Sequence, residues 1–293
     1  MIEAMRGVGT QAERRPVIVR SVADLRAKIT AWRLAGETVA MVPTMGALHD
    51  GHLSLVEEGF RRATHVVVSI FVNPTQFAPH EDFQTYPRTE GTDVDKLAAL
   101  GTDIVFAPNA LEMYPLGSVT RVEVAGPALG LETDFRPHFF GGVATVVAKL
   151  LVACLPDVAI FGEKDYQQLA VVRQMVRDLM LPVEIVGGAT VREADGLAMS
   201  SRNAYLSPEE RAVAPRLIAE MRKVAATVRA GGDAAAALAE ARTTLLAAGF
   251  RQVDYLEIRN AVTLAPLSEA NEPLRLLAAL WLGRTRLIDN IAV

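Results

Sequence analysis

Two histidines three positions apart, His49 and His52, follow shortly after the apolar run Val39–Val42. Pro43 is expected to end a strand here, and Gly46 lets the backbone turn sharply before the next helix. Side chains at i and i+3 project from one side of a first helical turn. A helix N-terminus also offers free N–H groups and partial positive charge to phosphate. The stretch therefore predicts a phosphate site with two imidazole hydrogen-bond donors; a surface histidine pair and a metal site are the alternatives.

A second group of polar side chains follows the next apolar run, His65–Phe71. Asn73 and Gln76 are neutral amides, which recognise hydroxyl and carboxylate groups without holding a charge in a closed site. Gln76 lies in otherwise apolar surroundings, which favours a functional interpretation. Asn73 also fits a purely structural role in a turn.

Two further polar stretches suit phosphate. Gly162 and Lys164 come just after the apolar run Asp157–Phe161, where a lysine would meet a triphosphate as a point charge. The alternative for Lys164 is a solvated position in an exposed turn. Met199–Arg202 places two hydroxyls before a guanidinium, which would form a mobile phosphate clamp or an ordinary polar loop. Polar groups after three apolar runs favour a common site.

Positioning these groups requires strands that end side by side. Short apolar runs alternate with helical segments from residue 17 to about 190, which predicts βαβ units and a doubly wound parallel sheet. The runs are continuous, as in strands buried on both faces. The predicted strands are Val39–Val42, His65–Phe71, Asp103–Ala107, Asp157–Phe161 and Pro182–Val186. The predicted helices are Ser54–Ala63, Val94–Leu100, Val143–Leu155 and Leu169–Leu179.

The pattern changes after about residue 203. Ser207 and Pro208 form a helix start, with an N-cap followed by proline at the first position. Two Ala- and Arg-rich helices follow, and then two strand-like runs, Val253–Ile258 and Leu274–Leu282. The predicted fold class is α/β. It comprises a Rossmann-like domain over 1–190, with 1–16 flexible, and a smaller α+β C-terminal domain over 191–293 that covers the site.

Composition narrows the class of protein. The formal net charge of -4, from 30 basic and 34 acidic residues, argues against a nucleic-acid binder with a basic face. Cys154 is the only cysteine, so we expect a buried thiol and neither a disulfide nor a cysteine metal site. No apolar stretch reaches the length of about 18 residues that a membrane span needs, and the N-terminus lacks a secretory signal. We therefore expect a cytoplasmic protein.

Together these motifs resemble those of the pantothenate synthetase (pantoate–β-alanine ligase) family, from about Val39 to Asn290. His49-Asp50-Gly51-His52 is similar to the HxGH motif of a wider nucleotidyltransferase group, shared with class I aminoacyl-tRNA synthetases. Met199-Ser200-Ser201-Arg202 is similar to the mobile second motif of that group. Tyr255–Ile258 and Arg286–Asn290 extend the match into the C-terminal part.

The resemblance implies a two-step ligation that uses ATP and Mg²⁺. The carboxylate of pantoate attacks the α-phosphorus of ATP, which gives pantoyl adenylate and pyrophosphate. The amine of β-alanine then attacks the acyl carbon, which gives pantothenate and AMP. No acyl-enzyme forms, in agreement with the lack of a persuasive nucleophile in the sequence. A homodimer is implied by the family alone.

The same resemblance assigns roles to individual residues. Gln76 and Gln168 would hold pantoate, with Gln76 also near β-alanine, and the family gives His52 a proton-donor role. An attacking carboxylate needs no deprotonation at neutral pH, so we expect charge stabilisation in the phosphoryl transition state to be the main task. The residues that suit this task are His49, His52, Lys164 and Arg202. The implied ATP-binding residues are Met45, Gly46, Ala47, Leu48, His49, Asp50, Gly51, His52, Gly162, Glu163, Lys164, Asp165, Val191, Met199, Ser200, Ser201 and Arg202.

Two stretches depart from the family pattern. The family commonly reads Arg-Pro-Gly-His-Phe before the helix that covers pantoate, whereas here His138 comes one position early and Phe139 takes the usual histidine position. His138 is therefore left out of the catalytic set. Asp93 lies in the segment that contributes a metal-side acid in relatives, and on that basis alone it is predicted as a metal ligand. Its neighbours here are Gly91 and Thr92 instead of acids.

Two other functions fit parts of the sequence. Another adenylyl- or cytidylyltransferase would share the HxGH site and use a different acceptor. A nucleic-acid-binding relic of a synthetase would need a basic stretch interleaved with aromatic residues, which the sequence lacks.

Overall fold

The computed structural model describes residues 15–78, 81, 83–267 and 273–293. Its larger sheet confirms the predicted doubly wound class: six parallel strands lie in the order β1-β4-β3-β2-β5-β6. The strands are β1 Val17–Val19, β2 Val39–Thr44, β3 His65–Ile70, β4 Ile104–Phe106, β5 Val158–Gly162 and β6 Glu184–Gly188. The short β1 was not predicted. All but the last two residues of the predicted flexible segment 1–16 lie outside the described residues.

Helices cover both faces of this sheet, because side chains of each strand point alternately to the two sides. Met41 of β2 packs with α1, α6 and α7, whereas its neighbours Ala40 and Val42 pack with α2 and α3. The helices up to β6 are α1 Val22–Leu34, α2 Asp50–Arg62, α3 Glu90–Ala99, α4 Ala110–Met113, α5 Glu132–Phe135, α6 Phe139–Cys154 and α7 Tyr166–Asp178. None of the helices in the described part of the chain is long and apolar enough to cross a membrane.

The C-terminal part forms a second sheet with its own core. Three antiparallel strands lie in the order β7-β8-β9, and α9 and α10 pack on them around Met221, Leu245 and Leu280. The elements are α8 Pro208–Val213, α9 Arg216–Arg229, α10 Ala234–Ala247, β7 Gln252–Asn260, β8 Leu274–Leu282 and β9 Thr285–Ala292. The sequence predicts β7 and β8, whereas β9 is indicated only by the family motif over 286–290.

The order of the parallel strands creates the crevice in which a ligand would bind. Strands β2, β3 and β4 follow each other to one side, while β5 and β6 lie on the other side of β2. The order in which successive strands are added therefore reverses between the parallel strands β2 and β5, which is where doubly wound sheets bind ligands. The segments after these two strands contain the histidine pair and Lys164.

Pro43 does not end β2 as expected, since the strand continues through Thr44. The carbonyl of Val39 accepts a hydrogen bond from Asp157 beside β5, so the backbone polar groups of Pro43, four residues later, also face β5. Pairing between β2 and β5 stops at Met41, and Pro43 lies beyond it. The missing N–H of proline therefore costs no ladder bond, and β5 is free to diverge from β2 at the crevice.

Helix starts are the least accurate part of the sequence prediction. α6 begins at Phe139 instead of Val143, and α7 at Tyr166 instead of Leu169. α2 begins at Asp50, as the histidine spacing predicts, but four residues before its periodic stretch Ser54–Ala63. The first turns of these helices face the crevice and contain His52, Phe139 and Gln168. Because their side chains do not face the core, they lack the apolar periodicity from which a helix is recognised.

Candidate active site

A cavity of about 920 Å³ opens at the carboxyl ends of β2 and β5 and reaches the C-terminal sheet. It brings together most of the residues that the sequence suggested from four separate segments. Those that line it are Met45, His49, Gly51, His52, Gln76, Gly162, Lys164, Asp165, Gln168, Val191, Met199, Ser200, Ser201 and Arg202. Those that do not line it are Gly46, Ala47, Leu48, Asp50, Asp93 and Glu163.

The two histidines cap α2 reciprocally. His49 is the N-cap, and its Nδ1 accepts a hydrogen bond from the N–H of Gly51 at 3.2 Å, while its own N–H donates to Nδ1 of His52 at 3.4 Å. A Cβ on Gly51 would lie 2.9 Å from the His49 ring, so only glycine lets that ring fold back over the helix start. With both Nδ1 atoms accepting, the proton of each neutral ring lies on Nε2, where it remains available as a donor.

Burial and nearby cations keep both histidines neutral. Burial lowers the pKa of His52 to about 3, with further lowering from His49, Lys164 and Lys96. The pKa of His49 is also lowered, first by burial and then by Lys164, although Asp50 opposes the shift. At neutral pH the imidazoles therefore act as uncharged donors. Lys164 supplies positive charge in the same cavity, with its Nζ 3.9 Å from Asp165.

The turn between β2 and α2 is held by a buried carboxylate. Gly46 and Ala47 both have positive φ, at 84° and 51°. Asp93 accepts hydrogen bonds from the N–H of Ala47 at 2.9 Å and from that of Leu48 at 2.8 Å. Asp93 is 1% exposed, and its carboxylate also accepts from the Thr89 hydroxyl. Asp93 therefore fixes the strained turn that presents His49.

The described residues contain no cluster of three or more His, Cys, Asp or Glu side chains that could hold a metal ion.

Asn73 and Gln76, the two amides after β3, differ in how well their hydrogen-bonding groups are satisfied. Asn73 is satisfied within the protein, since Oδ1 accepts from Tyr114 at 2.8 Å and Nδ2 donates to Gln76 Oε1 at 3.1 Å and to the Gly142 carbonyl at 3.2 Å. This agrees with its structural interpretation. Among the residues that the structure describes, Gln76 Nε2 donates only to Met45 Sδ, a weak acceptor, at 3.0 Å. Gln76 therefore retains a donor that a stronger acceptor could take.

Gln168 lies in the first turn of α7 and also lines the cavity. Its side chain makes no hydrogen bond to any other residue that the structure describes. Gln76 and Gln168 are thus two amides that face one cavity with hydrogen-bonding capacity to spare.

The stretch with Ser200 and Arg202 is more ordered than a simple connector. Ser200 Oγ caps a 3-10 helix over Ser201–Tyr205 by accepting from the N–H of Arg202 at 3.3 Å. The Arg202 guanidinium lies 6.0 Å from the centre of the Tyr86 ring. Tyr86 also places its hydroxyl 3.4 Å from Ser201 Oγ. Tyr86 lines the cavity and was missed, because nothing in its sequence neighbourhood marks it.

Strand β9 holds the segments on both sides of the cavity. Asn290 Nδ2 donates to the carbonyls of Glu163 and Lys164 at 2.9 and 2.8 Å. Its neighbour Asp289 forms a two-bond ion pair with Arg192, at 2.7 and 2.9 Å. The family motif over 286–290 indicates this strand from the sequence. The hydrogen bonds of Asn290 and the ion pair of Asp289 depend on the tertiary fold.

The atypical stretch before α6 has a clear arrangement. His138, which was left out of the catalytic set, is exposed and does not line the cavity. Phe139 lines the cavity, and the Arg136 guanidinium stacks over its ring at 3.9 Å. Gly142 packs against the turn that contains Gln76, because a Cβ there would lie 2.5 Å from the Thr75 carbonyl oxygen.

Comparisons with known proteins show which family model and which relatives this chain is similar to. The family model described as pantoate-beta-alanine ligase matches residues 17–292. The chain is 60% identical over 282 residues to the pantothenate synthetase of Bradyrhizobium sp. strain BTAi1, covering 96% of this chain and 99% of the relative. It is 58% identical over 283 residues to that of Caulobacter vibrioides, with 95% and 99% covered.

Solved structures agree with this result. The pantothenate synthetase of Thermus thermophilus superposes with a TM-score of 0.88 at 50% identity, covering 94% of this chain and 98% of the other. The pantoate-beta-alanine ligase of Francisella tularensis, complexed with beta-gamma ATP and beta-alanine, gives 0.81 at 33% identity, with 94% and 97% covered.

Proposed function

This chain belongs to the pantoate–β-alanine ligase family, and we propose that its cleft carries out both steps of the ligation. Pantoate and ATP first give pantoyl adenylate and pyrophosphate, and β-alanine then displaces AMP to form pantothenate. The observation that carries the proposal is the single cavity that joins the capped histidines and Lys164 to the two underused amides, Gln76 and Gln168.

In the first step the pantoate carboxylate oxygen forms a bond to the α-phosphorus, and the bond to pyrophosphate breaks. The attacking carboxylate is already ionised at neutral pH, so the demand on the protein is charge stabilisation. The Nε2–H groups of His49 and His52, the Lys164 ammonium and the Arg202 guanidinium are the donors for this. The pKa of His52, about 3, favours hydrogen-bond donation by a neutral ring over a full proton-donor role.

In the second step the β-alanine amine forms a bond to the acyl carbon and loses a proton to water, and AMP leaves with the electron pair of the broken bond. Gln76 and Gln168 would hold the hydroxyl and carboxyl oxygens of pantoate, with Gln76 also near β-alanine. Cys154 is no candidate for an acyl-enzyme, because burial in α6 raises the pKa of its thiol to about 12. A direct transfer from adenylate to amine follows.

We also propose that ATP binds as its Mg²⁺ complex. Mg²⁺ takes oxygen ligands, usually phosphates and water with one or two carboxylates. Asp165 fits this need, because it lines the cavity beside Lys164 and its side chain is 46% exposed. Asp93, the predicted ligand, would reach a metal only by giving up its bonds to the β2–α2 turn. Bound Mg²⁺ would neutralise phosphate charge.

The C-terminal part is proposed to exclude water from the adenylate. Residues from β9 and from 199–203 line the same cavity as the histidines. A closure of Met199–Arg202 on the phosphates would protect a mixed anhydride that water would otherwise hydrolyse.

A cytoplasmic homodimer is the proposed form of the enzyme. Leu116 and Val119 are 94% and 90% exposed on the segment between α4 and α5, and a second copy would cover these two apolar side chains. The single free cysteine and the use of ATP suit the cytoplasm. Light scattering at micromolar concentration should give twice the chain mass, and a monomer would contradict the proposed assembly.

Mass spectrometry of the products from ATP, pantoate and β-alanine tests the proposed reaction. We expect pantothenate and AMP in equal amounts, and neither product without pantoate. ADP in place of AMP would overturn the adenylate mechanism. Pyrophosphate exchange that depends on a different acid would favour another HxGH nucleotidyltransferase.

A further inference from the structure

Glu132 is a buried carboxylate that the sequence did not single out, and it lines the cavity where the C-terminal sheet meets α5. It is the first residue of α5 and is only 6% exposed. Burial alone would raise its pKa, but Arg286 and Arg136 outweigh that effect and hold the pKa below its usual value. Glu132 is therefore ionised at neutral pH, and its charge is compensated from two directions.

From the C-terminal side, strands β7 and β9 hold Glu132. The Nη1 of Arg286 donates to both carboxylate oxygens at 2.8 Å. The hydroxyl of Tyr255 donates to Oε2 at 3.3 Å. Arg286 is itself anchored by Asp254, whose Oδ2 accepts from its Nε at 2.7 Å.

On the other side, Glu132 contacts the supports of both proposed pantoate amides. Arg136 Nη1 donates to Glu132 Oε1 at 2.9 Å, and Arg136 Nη2 donates to the backbone carbonyl of Gln76 at 3.1 Å. The N–H of Glu132 donates to Oε1 of Gln167, the neighbour of Gln168, at 3.1 Å. A single residue thus connects the backbones that carry Gln76 and Gln168.

The rest of the network shows what Glu132 adds. Arg136 has a second carboxylate, Glu81, which accepts from its Nε and Nη2 at 2.6 Å each. Arg286 has Asp254. In the described part of the chain Glu132 is the carboxylate that bonds both arginines, so its loss would split the network into two separate ion pairs while each arginine kept a partner.

We propose that Glu132 is a positioning residue. It couples the position of the C-terminal sheet to the spacing between Gln76 and Gln168, the proposed pantoate amides. It holds Arg136 against the Gln76 carbonyl and fixes α5 against Gln167, while Arg286 and Tyr255 bind it from the C-terminal sheet. The inference rests on the proposed function, since it takes Gln76 and Gln168 as the pantoate amides.

The test uses Glu132→Gln in the full-length enzyme, which removes the charge and keeps the side-chain shape. We expect KM for pantoate to rise at least tenfold, with a smaller loss of kcat and with ATP affinity, measured without pantoate, within about threefold of wild type. Glu220→Gln is the matched control, because Glu220 is also buried, at 4%, but lies in α9 and, within the described ranges, pairs with Lys223 alone. It should lower the melting temperature without changing KM for pantoate.

A double-mutant cycle separates coupling from general damage. Arg286→Lys keeps the charge but loses the planar fork, and it should raise KM for pantoate in the same direction. If Glu132 acts by joining the two sides, the double variant will cost less than the product of the single effects. Additive effects, or an unchanged KM for pantoate, would overturn the inference. If Glu132→Gln shows no cooperative thermal transition, it is not folded, and KM for pantoate of Arg286→Lys alone then tests the inference.

Gln76→Ala separates failure of this inference from failure of the proposed function. It should raise KM for pantoate whatever Glu132 does. If Gln76→Ala leaves pantoate binding unchanged, the assignment of the pantoate pocket is wrong. If Gln76→Ala weakens pantoate binding but Glu132→Gln does not, the pocket assignment is correct and the proposed coupling is wrong.

Discussion

α2 and α8 begin with the same reciprocal capping geometry but with different chemistry. At α8, Ser207 Oγ accepts from the N–H of Glu210 at 3.2 Å, and Glu210 Oε2 accepts from the N–H of Ser207 at 2.9 Å. At α2 the same two bonds are made by the Nδ1 atoms of His49 and His52. Serine and glutamate are the usual residues for such a box, whereas histidine is not a favoured cap.

The difference follows from what each helix start faces. Neither Ser207 nor Glu210 lines the cavity, and their side chains bond the first turn of α8. His49 and His52 line it, and each uses one ring nitrogen to cap α2 while the other stays available. The α2 start thus performs a structural task with residues that also suit phosphoryl transfer. Substitutions at the two starts should therefore separate rate from stability.

The largest effect is expected for His52→Ala. Loss of one preorganised donor costs on the order of 10²–10³ in rate, so adenylation should fall by that factor while ATP binding changes little. Single-turnover release of pyrophosphate measures the step, and equilibrium titration measures ATP binding. A variant that retained more than about half of wild-type turnover would remove His52 from the mechanism.

His49→Ser gives α2 the cap residue of α8. Because serine is a good N-cap, the free energy of unfolding should stay within about 0.5 kcal/mol of wild type or increase. Adenylation should nevertheless fall at least about tenfold, since the Nε2–H donor is lost. Urea unfolding and pyrophosphate release give the two numbers. Retained activity would mean that the first histidine serves only as a cap.

Arg202→Ala tests the segment that leads into α8. Loss of a charged donor to the phosphates should slow adenylation about tenfold, because such a hydrogen bond contributes about 1.5–3 kcal/mol. If the segment also excludes water, more free AMP should appear without β-alanine. Following pyrophosphate and AMP separately in single turnovers distinguishes the two effects. Normal adenylation with no extra AMP would show that the segment is only a linker.

The pH dependence of stability should distinguish the α2 start. The pKa of His52 is about 3 in the folded protein, below the ordinary value of 6.5, so the unfolded chain binds more protons between these values. The contribution of neutral His52 to the free energy of unfolding is fully present above pH 6.5. It is lost as pH falls toward 3, by up to about 1.4 kcal/mol per pH unit. Urea unfolding of wild type and His52→Gln at pH 6.5 and 5.5 isolates it. If the free energy of unfolding changed equally with pH in wild type and in His52→Gln, the neutral imidazole would be contradicted.

The smallest effect is expected for Ser207→Ala. Loss of this N-cap should lower the free energy of unfolding by about 1 kcal/mol, because the first-turn N–H of Glu210 loses its acceptor. The rate of adenylation should not change. A clear loss of activity in this variant would break the contrast, since it would show that the α8 start also supports the site.

Several features of this protein could be predicted from its sequence because they depend on local chemistry. Continuous apolar runs predicted five of the six parallel strands, and Ser207 with Pro208 predicted the start of α8. The His49 and His52 spacing predicted two imidazoles on one side of a first turn. The positions of polar groups after apolar runs indicated a shared site, since parallel strands end at one edge.

Tertiary structure alone decided the contacts between segments distant in sequence. The choice of Asp93 to hold the β2–α2 turn joins positions more than forty residues apart, and nothing local marks it. The low pKa of His52 depends on how deeply α2 is buried beside Lys164. Glu132 gains Arg286 and Tyr255 as partners only when β9 and β7 pack against α5. Periodicity and spacing report neighbours along one element, whereas burial and charge pairing depend on which elements meet.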